Sequence, residues 1–206
     1  MTPCLKVVAF DCDGVMFDSR EANRAYYNHL LEHFRLPAMT PEQLAYAHMH
    51  TVDEALAHLI RDEATRKDAH AYRKRLGYRP FLKFMEMEPG LVPLLEALRP
   101  RFKTAVATNR TDTMASVLAD NRIDHLFDLV VCALDVQFPK PHPEALFKVA
   151  EHFSVSPGEV IYVGDSMVDQ LAAEGAGIPL VAYRNPDLKA AHHIRHLAEI
   201  EALVGL

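Results

Sequence analysis

Five short apolar runs, three of them followed directly by small, polar or acidic residues that carry chemistry and a fourth by a lysine in its loop, constrain the fold of this chain more than any other feature. They are Val7-Val8-Ala9-Phe10 before Asp11-Cys12-Asp13-Gly14, Thr104-Ala105-Val106-Ala107 before Thr108-Asn109, Leu129-Val130-Val131-Cys132, Val160-Ile161-Tyr162-Val163 before Gly164-Asp165, and Leu180-Val181-Ala182-Tyr183. Runs this short, rich in β-branched residues, predict strands buried on both faces of a parallel sheet. Helical periodicity fills the intervals at 91–98, 113–121, 144–153 and 167–176, the last ending at Gly177, which suits a helix C-cap. Strands and helices alternating in this way predict an α/β fold, a Rossmann-like doubly wound parallel sheet.

Residues 19–88 break the rhythm with helical periodicity and no convincing strand. They predict an inserted α-helical cap domain, with helices over 21–34, 41–61 and 63–87 and breaks near Leu36-Pro37, Thr51 and Gly77. The core domain then consists of 1–18 and 89–206, and the joints at 17–19 and 87–90 are the expected hinges.

Composition narrows the chemistry. Half of the 206 residues are hydrophobic, which excludes disorder, and a net charge of -6 argues against a nucleic-acid polymer or an anionic membrane as partner. The apolar run at 5–10 is too short for a secretion signal, and no stretch reaches the roughly 20 apolar residues of a membrane span. Three cysteines, Cys4, Cys12 and Cys132, have no metal-like spacing and favour a reducing compartment, so a cytoplasmic location is expected. Among the 12 histidines, His48 and His50 are two apart and His192 and His193 adjacent, neither being the spacing that puts two ligands on one helix face.

The polar residues fall where an open α/β sheet binds its ligands, at the carboxyl ends of strands. Asp11 and Asp13 follow the first strand, Thr108 and Asn109 the second, Lys140 lies in the loop after the third, and Asp165 and Asp169 follow the fourth. Asp11 and Asp13, at i and i+2, can point the same way from an extended exit, and Gly14 permits a sharp turn after them. With Asp165 they form a hard-oxygen cluster suited to Mg2+. A phosphate monoester with ionised Asp11 and Asp165 carries about -4, against about +3 from magnesium and Lys140, so a protonated Asp13 is expected with substrate bound. It would donate that proton to a leaving oxygen.

Read together, the run Asp11 to Ser19, Ala107-Thr108-Asn109, Lys140-Pro141-His142-Pro143 and Gly164 to Asp169 resembles the four ordered motifs of the haloacid dehalogenase superfamily. A helical insertion directly after the first motif resembles its phosphoglycolate-phosphatase-like and β-phosphoglucomutase-like members. The resemblance implies a Mg2+-dependent phosphatase acting on a small phosphorylated metabolite. Asp11 would be the nucleophile that forms an aspartyl-phosphate, Asp13 the acid and base, and Lys140 the neutralising cation. Thr108 and the amide of Asn109 would hold phosphoryl oxygens. Metal would be bound by Asp11, Asp165 and the main-chain carbonyl of Asp13, with Asp169 supporting metal-bound water.

Sugar-phosphate mutases of this kind carry a basic residue just after a cap Ser or Thr, where this chain has Thr51-Val52. A mutase is therefore the second reading, and a non-catalytic binding protein on the same scaffold the third. In the cap, Arg20, Asn23 and Arg24 are candidate substrate contacts, as is His48 or His50. The run Arg73-Lys74-Arg75, with Arg79 and Lys83, reads as a solvated helix face.

Overall fold

The computed structural model describes residues 5–206, so Cys4 lies outside it. In chain order the elements are β1 (Val7–Phe10), β2 (Phe17–Asp18), α1 (Arg20–His33), α2 (Pro41–Met49), α3 (Val52–Leu59), α4 (Glu63–Leu76), β3 (Glu86–Met87), α5 (Leu91–Leu98), β4 (Lys103–Ala107) and α6 (Met114–Asp120). They continue with β5 (Leu129–Val131), α7 (Glu144–Phe153), β6 (Val160–Gly164), α8 (Met167–Ala176), β7 (Leu180–Tyr183), β8 (His192–Ile194) and α9 (Glu199–Val204).

Six strands form a parallel sheet in the order β5-β4-β1-β6-β7-β8. Central β1 registers Ala9 against Ala105 of β4 on one side and Tyr162 of β6 on the other. Side chains alternate across the sheet. Val8, Phe10, Val106, Ile161, Val163 and Val181 face a core closed by α5, α6 and α9. Val7, Ala9, Ala105, Val160, Tyr162 and Ala182 face a second core closed by α7 and α8. Burial on both faces is why these strands read as unbroken apolar runs. The outer strand β8 escaped that reading because it is short and polar, with His192 and His193 exposed, as suits an edge.

Helices α1 to α4 pack around a third apolar cluster of their own, including Tyr26, Tyr27, Leu30, Leu56, Ile60, Tyr78 and Phe81. Tyr26 meets Tyr27, Tyr78 and Phe81 edge to face at 5.1 to 5.4 Å. The expected break at Thr51 divides the 41–61 segment into two helices. Thr51 ends the first segment and caps the second, its hydroxyl accepting from the Glu54 amide while Glu54 accepts from the Thr51 amide. The 63–87 segment breaks where expected, at Gly77 with φ 67°, and a 3-10 turn over Arg79–Phe84 leads into β3. β3 pairs antiparallel with β2, Phe17 against Met87 and Asp18 against Glu86, so the chain enters and leaves the helical segment side by side. Among the described residues no helix is long and apolar enough to cross a membrane.

Candidate active site

The first turn after β1 is built for close approach. Met16 and Phe17 amides both donate to the Cys12 carbonyl, and Gly14 sits at φ 83°. A Cβ on Gly14 would lie 2.1 Å from Asp165 Oδ2, so only glycine lets this turn pass the Asp165 carboxylate. Cys12, between the two aspartates, turns its side chain into the apolar core.

Lys140 lies at the centre of the site, with its side chain only 1% exposed. Its Nζ is 2.9 Å from Asp11 Oδ1 and 2.6 Å from Asp169 Oδ1, and it donates to the Tyr162 hydroxyl at 2.8 Å. Tyr162 Oη is in turn 2.9 Å from the Ala107 carbonyl and 2.8 Å from Asp169. Asn109 holds the Lys140 backbone, accepting from its amide at 2.9 Å and donating to its carbonyl at 2.8 Å. The same amide group of Asn109 also donates to Met49 O in the helical segment, at 3.2 Å. Thr108 is buried beside it and its hydroxyl accepts from the Arg110 amide.

Asp169 is fully buried, and its carboxylate is already engaged. One oxygen meets Lys140 and Tyr162, and the other accepts from the Ser166 hydroxyl and amide and the Asp165 amide. Burial works against its charge, yet Lys140 and these donors hold its pKa below the usual range. Asp11 and Asp165 behave in the opposite way. Burial, with repulsion from Asp169 and Asp13, pushes Asp11 up to about 7 despite Lys140, and burial with repulsion from Asp169 and Asp11 pushes Asp165 up to about 8. Carboxylate oxygens of Asp11, Asp165 and Asp169 lie within 4.8 Å of one another. Since Asp169 is satisfied internally, Asp11 and Asp165 remain as a crowded hard-oxygen pair whose one close cation, Lys140, is shared with Asp169. That donor set fits a divalent cation such as magnesium.

Without substrate, Asp13 is held by a cation next to the phosphate-binding pair. Burial opposes its ionisation, but Arg110, then His48 and the Ser19 hydroxyl, lower its pKa below the ordinary value, so the resting carboxyl is ionised rather than protonated. Arg110 Nη2 donates to Asp13 Oδ1 at 2.6 Å, and the Ser19 hydroxyl donates to the same oxygen.

These groups meet in a cleft lined by Asp11, Asp13, Thr108, Asn109, Arg110 and Lys140 on the sheet side. The helical segment contributes Asn23, Tyr27, His48, His50, Arg73 and Tyr78. Asp165 and Asp169 are not among the residues that line it. Of the three cap candidates, Asn23 is buried in the cleft, accepting from Tyr78 Oη at 2.7 Å and lying 3.0 Å from His48 Nδ1. Arg20 and Arg24 are exposed and outside it, Arg24 pairing with Glu21, because their positions on α1 face solvent.

Two cations of the cleft were not read as site residues in the sequence. Arg110 directly follows the Thr108-Asn109 pair, so its position was itself a signal. Arg73 was taken for part of a solvated face, but it is buried. It shares a stripe of α4 with buried Ala69 and half-buried Leu76, four residues before and three after.

A parallel sheet that gathers carboxylates and a buried lysine at the carboxyl ends of its strands defines an α/β enzyme with its reacting groups on that edge. The family model of haloacid dehalogenase-like hydrolases matches residues 8–183, and the chain belongs to that family. It is similar to the crystal structure of a subfamily IA hydrolase of the same superfamily from Geobacter sulfurreducens, at 41% identity, TM-score 0.80 and 98% coverage of each chain. It is 28% identical over 194 residues to a phosphoglycolate phosphatase of Haemophilus influenzae, covering 88% of this chain and 86% of the relative. A pyrophosphatase of Bacillus mycoides is 26% identical over 189 residues, with 86% and 83% coverage.

Proposed function

We propose that this enzyme is a magnesium-dependent phosphatase that hydrolyses a small phosphate monoester through an aspartyl-phosphate on Asp11. The observation that carries this reading is Lys140, buried between Asp11 and Asp169 so that Asp11 is held at the cleft with a fixed cation beside it. The phosphatase and pyrophosphatase among the relatives support the reaction class.

Asp11 and Asp165, with the Asp13 carbonyl, would hold magnesium, which when bound neutralises charge on the phosphoryl group. Asp169 supports that set from behind. The Asp11 carboxylate attacks phosphorus, the ester P–O bond breaks, and its electron pair leaves with the alkoxide, which takes a proton from Asp13, a carboxyl that is ionised at rest and takes that proton up when the substrate's negative charge enters the cleft. Asp13, now ionised, accepts a proton from water. The resulting hydroxide attacks the phosphorus of the aspartyl-phosphate, returning the Asp11 carboxylate and releasing inorganic phosphate. The Thr108 hydroxyl and the Asn109 amide hold phosphoryl oxygens, and Lys140 offsets their charge, so catalysis is mainly positioning and electrostatics.

Residues 19–88 act as a cap in this reading. The Asn109 contact to Met49 and the β2–β3 pair tie it to the sheet, and its closure keeps bulk water from the intermediate. Val52, which lines the cleft, gives no cation at the position where the resemblance places a basic residue in sugar-phosphate mutases, which favours hydrolysis. An enzyme of this kind, with a small phosphorylated metabolite as its partner, belongs in the cytoplasm.

Phosphate release from a panel of monoesters tests the proposal, run with magnesium, with EDTA and with Asp11→Asn. Release that needs both metal and Asp11 is expected. Turnover that survives in Asp11→Asn overturns the assigned nucleophile.

A further inference from the structure

The cleft contains two arginines that phosphoryl transfer to Asp11 does not use. The side chains of Arg110 and Arg73 are 6% and 9% exposed, and each has a buried Nε without a hydrogen-bond partner. Arg73 reaches in from α4 and pairs at 3.2 Å with Asp112, whose side chain is 46% exposed. Arg110 leaves the turn after β4, lies 4.9 Å from the Tyr78 ring centre and donates through Nη1 to Thr113 Oγ1 at 3.3 Å. Among the described residues its one carboxylate partner is Asp13.

That pairing conflicts with the work assigned to Asp13. The Asp13 oxygen held by Arg110 and Ser19 can serve a leaving oxygen only by giving up that pairing. A guanidinium this deeply buried is then left without an anion, which is strongly unfavourable. A substrate with a second negative group removes the conflict by supplying the missing partner. The planar fork of Arg110, with its free Nε, suits a carboxylate or a phosphate.

Resting on the phosphatase reading above, we propose that Arg110 exchanges partners during the reaction, giving up Asp13 for a second anionic group on the alcohol portion of the substrate. The substrate is therefore a compact monoester bearing two anionic groups, a phosphoryl group at Asp11 and a carboxylate or second phosphate at Arg110. Recognition of the second anion and release of Asp13 are one event. The cleft supports a small alcohol, since it leaves about 60 Å³ for the centres of water-sized molecules, room for only a few waters.

The test uses three two-carbon substrates that differ at one end: 2-hydroxyethyl phosphate, 2-phosphoglycolate and ethane-1,2-diol bisphosphate. Phosphate release is measured with magnesium for the wild type, Arg110→Gln and Arg110→Lys, with thermal unfolding as the folding control. Wild-type kcat/KM is expected to favour at least one anionic substrate over 2-hydroxyethyl phosphate by on the order of 10²-fold. Whichever anion gains more identifies the group Arg110 takes. Arg110→Gln brings that ratio near one, and Arg110→Lys, which keeps charge but loses the fork, lowers it by about tenfold.

The proposal is overturned by a wild-type ratio near one, by variants that lower all three substrates equally, or by activity on other esters with none on these. Each of those outcomes leaves the phosphatase reading standing if release needs Asp11. Absence of release from any ester overturns both. Should Arg110→Gln fail to fold, Arg110→Lys decides, an unchanged ratio counting against the exchange.

Discussion

Replacing Lys140 by Met tests whether the site is held together by its buried cation. Methionine keeps much of the stem but removes the charge that lies 2.9 Å from Asp11 and 2.6 Å from Asp169, in a position 1% exposed. Breaking a buried pair by removing one partner costs about 3–5 kcal/mol, because the other charge stays behind. For a chain of this size each kcal/mol lowers Tm by about 2–4 °C, so a fall of roughly 6–20 °C is expected at pH 7.5 in EDTA. The loss should depend on pH. Lys140 is the chief lowering influence on both Asp11 and Asp169, so its removal raises both carboxyls, and a raised carboxyl destabilises the fold only where the unfolded chain is ionised. That penalty is absent below the unfolded value near 4 and grows as pH rises toward the folded value, so the gap to wild type narrows on acidification. Thermal unfolding followed by circular dichroism between pH 4.5 and 8 measures it. A Tm within about 2 °C of wild type at pH 7.5, or a gap that widens in acid, refutes the reasoning.

Tyr162→Phe removes the hydroxyl that receives Lys140 and touches the Ala107 carbonyl and Asp169; a loss of about 1–2 kcal/mol in denaturant unfolding is expected, with kcat falling more than KM changes. Wild-type stability together with wild-type kcat would count against a positioning role. Magnesium binding should weaken as pH falls from 8 to 6, because Asp11 at about 7 and Asp165 at about 8 take up protons that the cation must displace. Calorimetry in buffers of different ionisation enthalpy should show proton release on binding, and a pH-independent affinity would contradict the assignment of those two ligands.

The sheet was legible because double-sided burial writes itself into sequence as uninterrupted apolar runs, and the groups that follow those runs were legible because strand ends converge on one edge. The position of Lys140 could be placed at that edge, but its bonds to Tyr162 and Asp169 could not. Those contacts depend on side-chain rotation across two strands and a helix start. Thr51-x-x-Glu54 and Thr40-x-x-Gln43 are helix-start signatures in plain view, and the first gives the break expected at Thr51 its physical reason. Arg73 was obscured by its neighbours, since Lys74 and Arg75 are exposed and one turn of α4 decides which of three consecutive cations points inward. The resting partner of Asp13 was missed for a different reason. A charge count that included Lys140 but not Arg110 lacked the cation closest to it.

The β2–β3 pair also shapes how this architecture can diversify. Because Asp18 and Glu86 are directly paired neighbours, the helical segment stands on a base about 5 Å wide, the spacing between adjacent strands. From the sheet's side, 67 intervening residues have the geometry of a hairpin loop, whatever their length. A hairpin end is where insertions are tolerated, because the strands below it already fix the direction of the chain. Selection can therefore lengthen, replace or remodel the segment that faces the leaving group while the carboxylates and lysine stay in register. Substrate range and reaction chemistry are thereby placed on separately heritable parts of one chain.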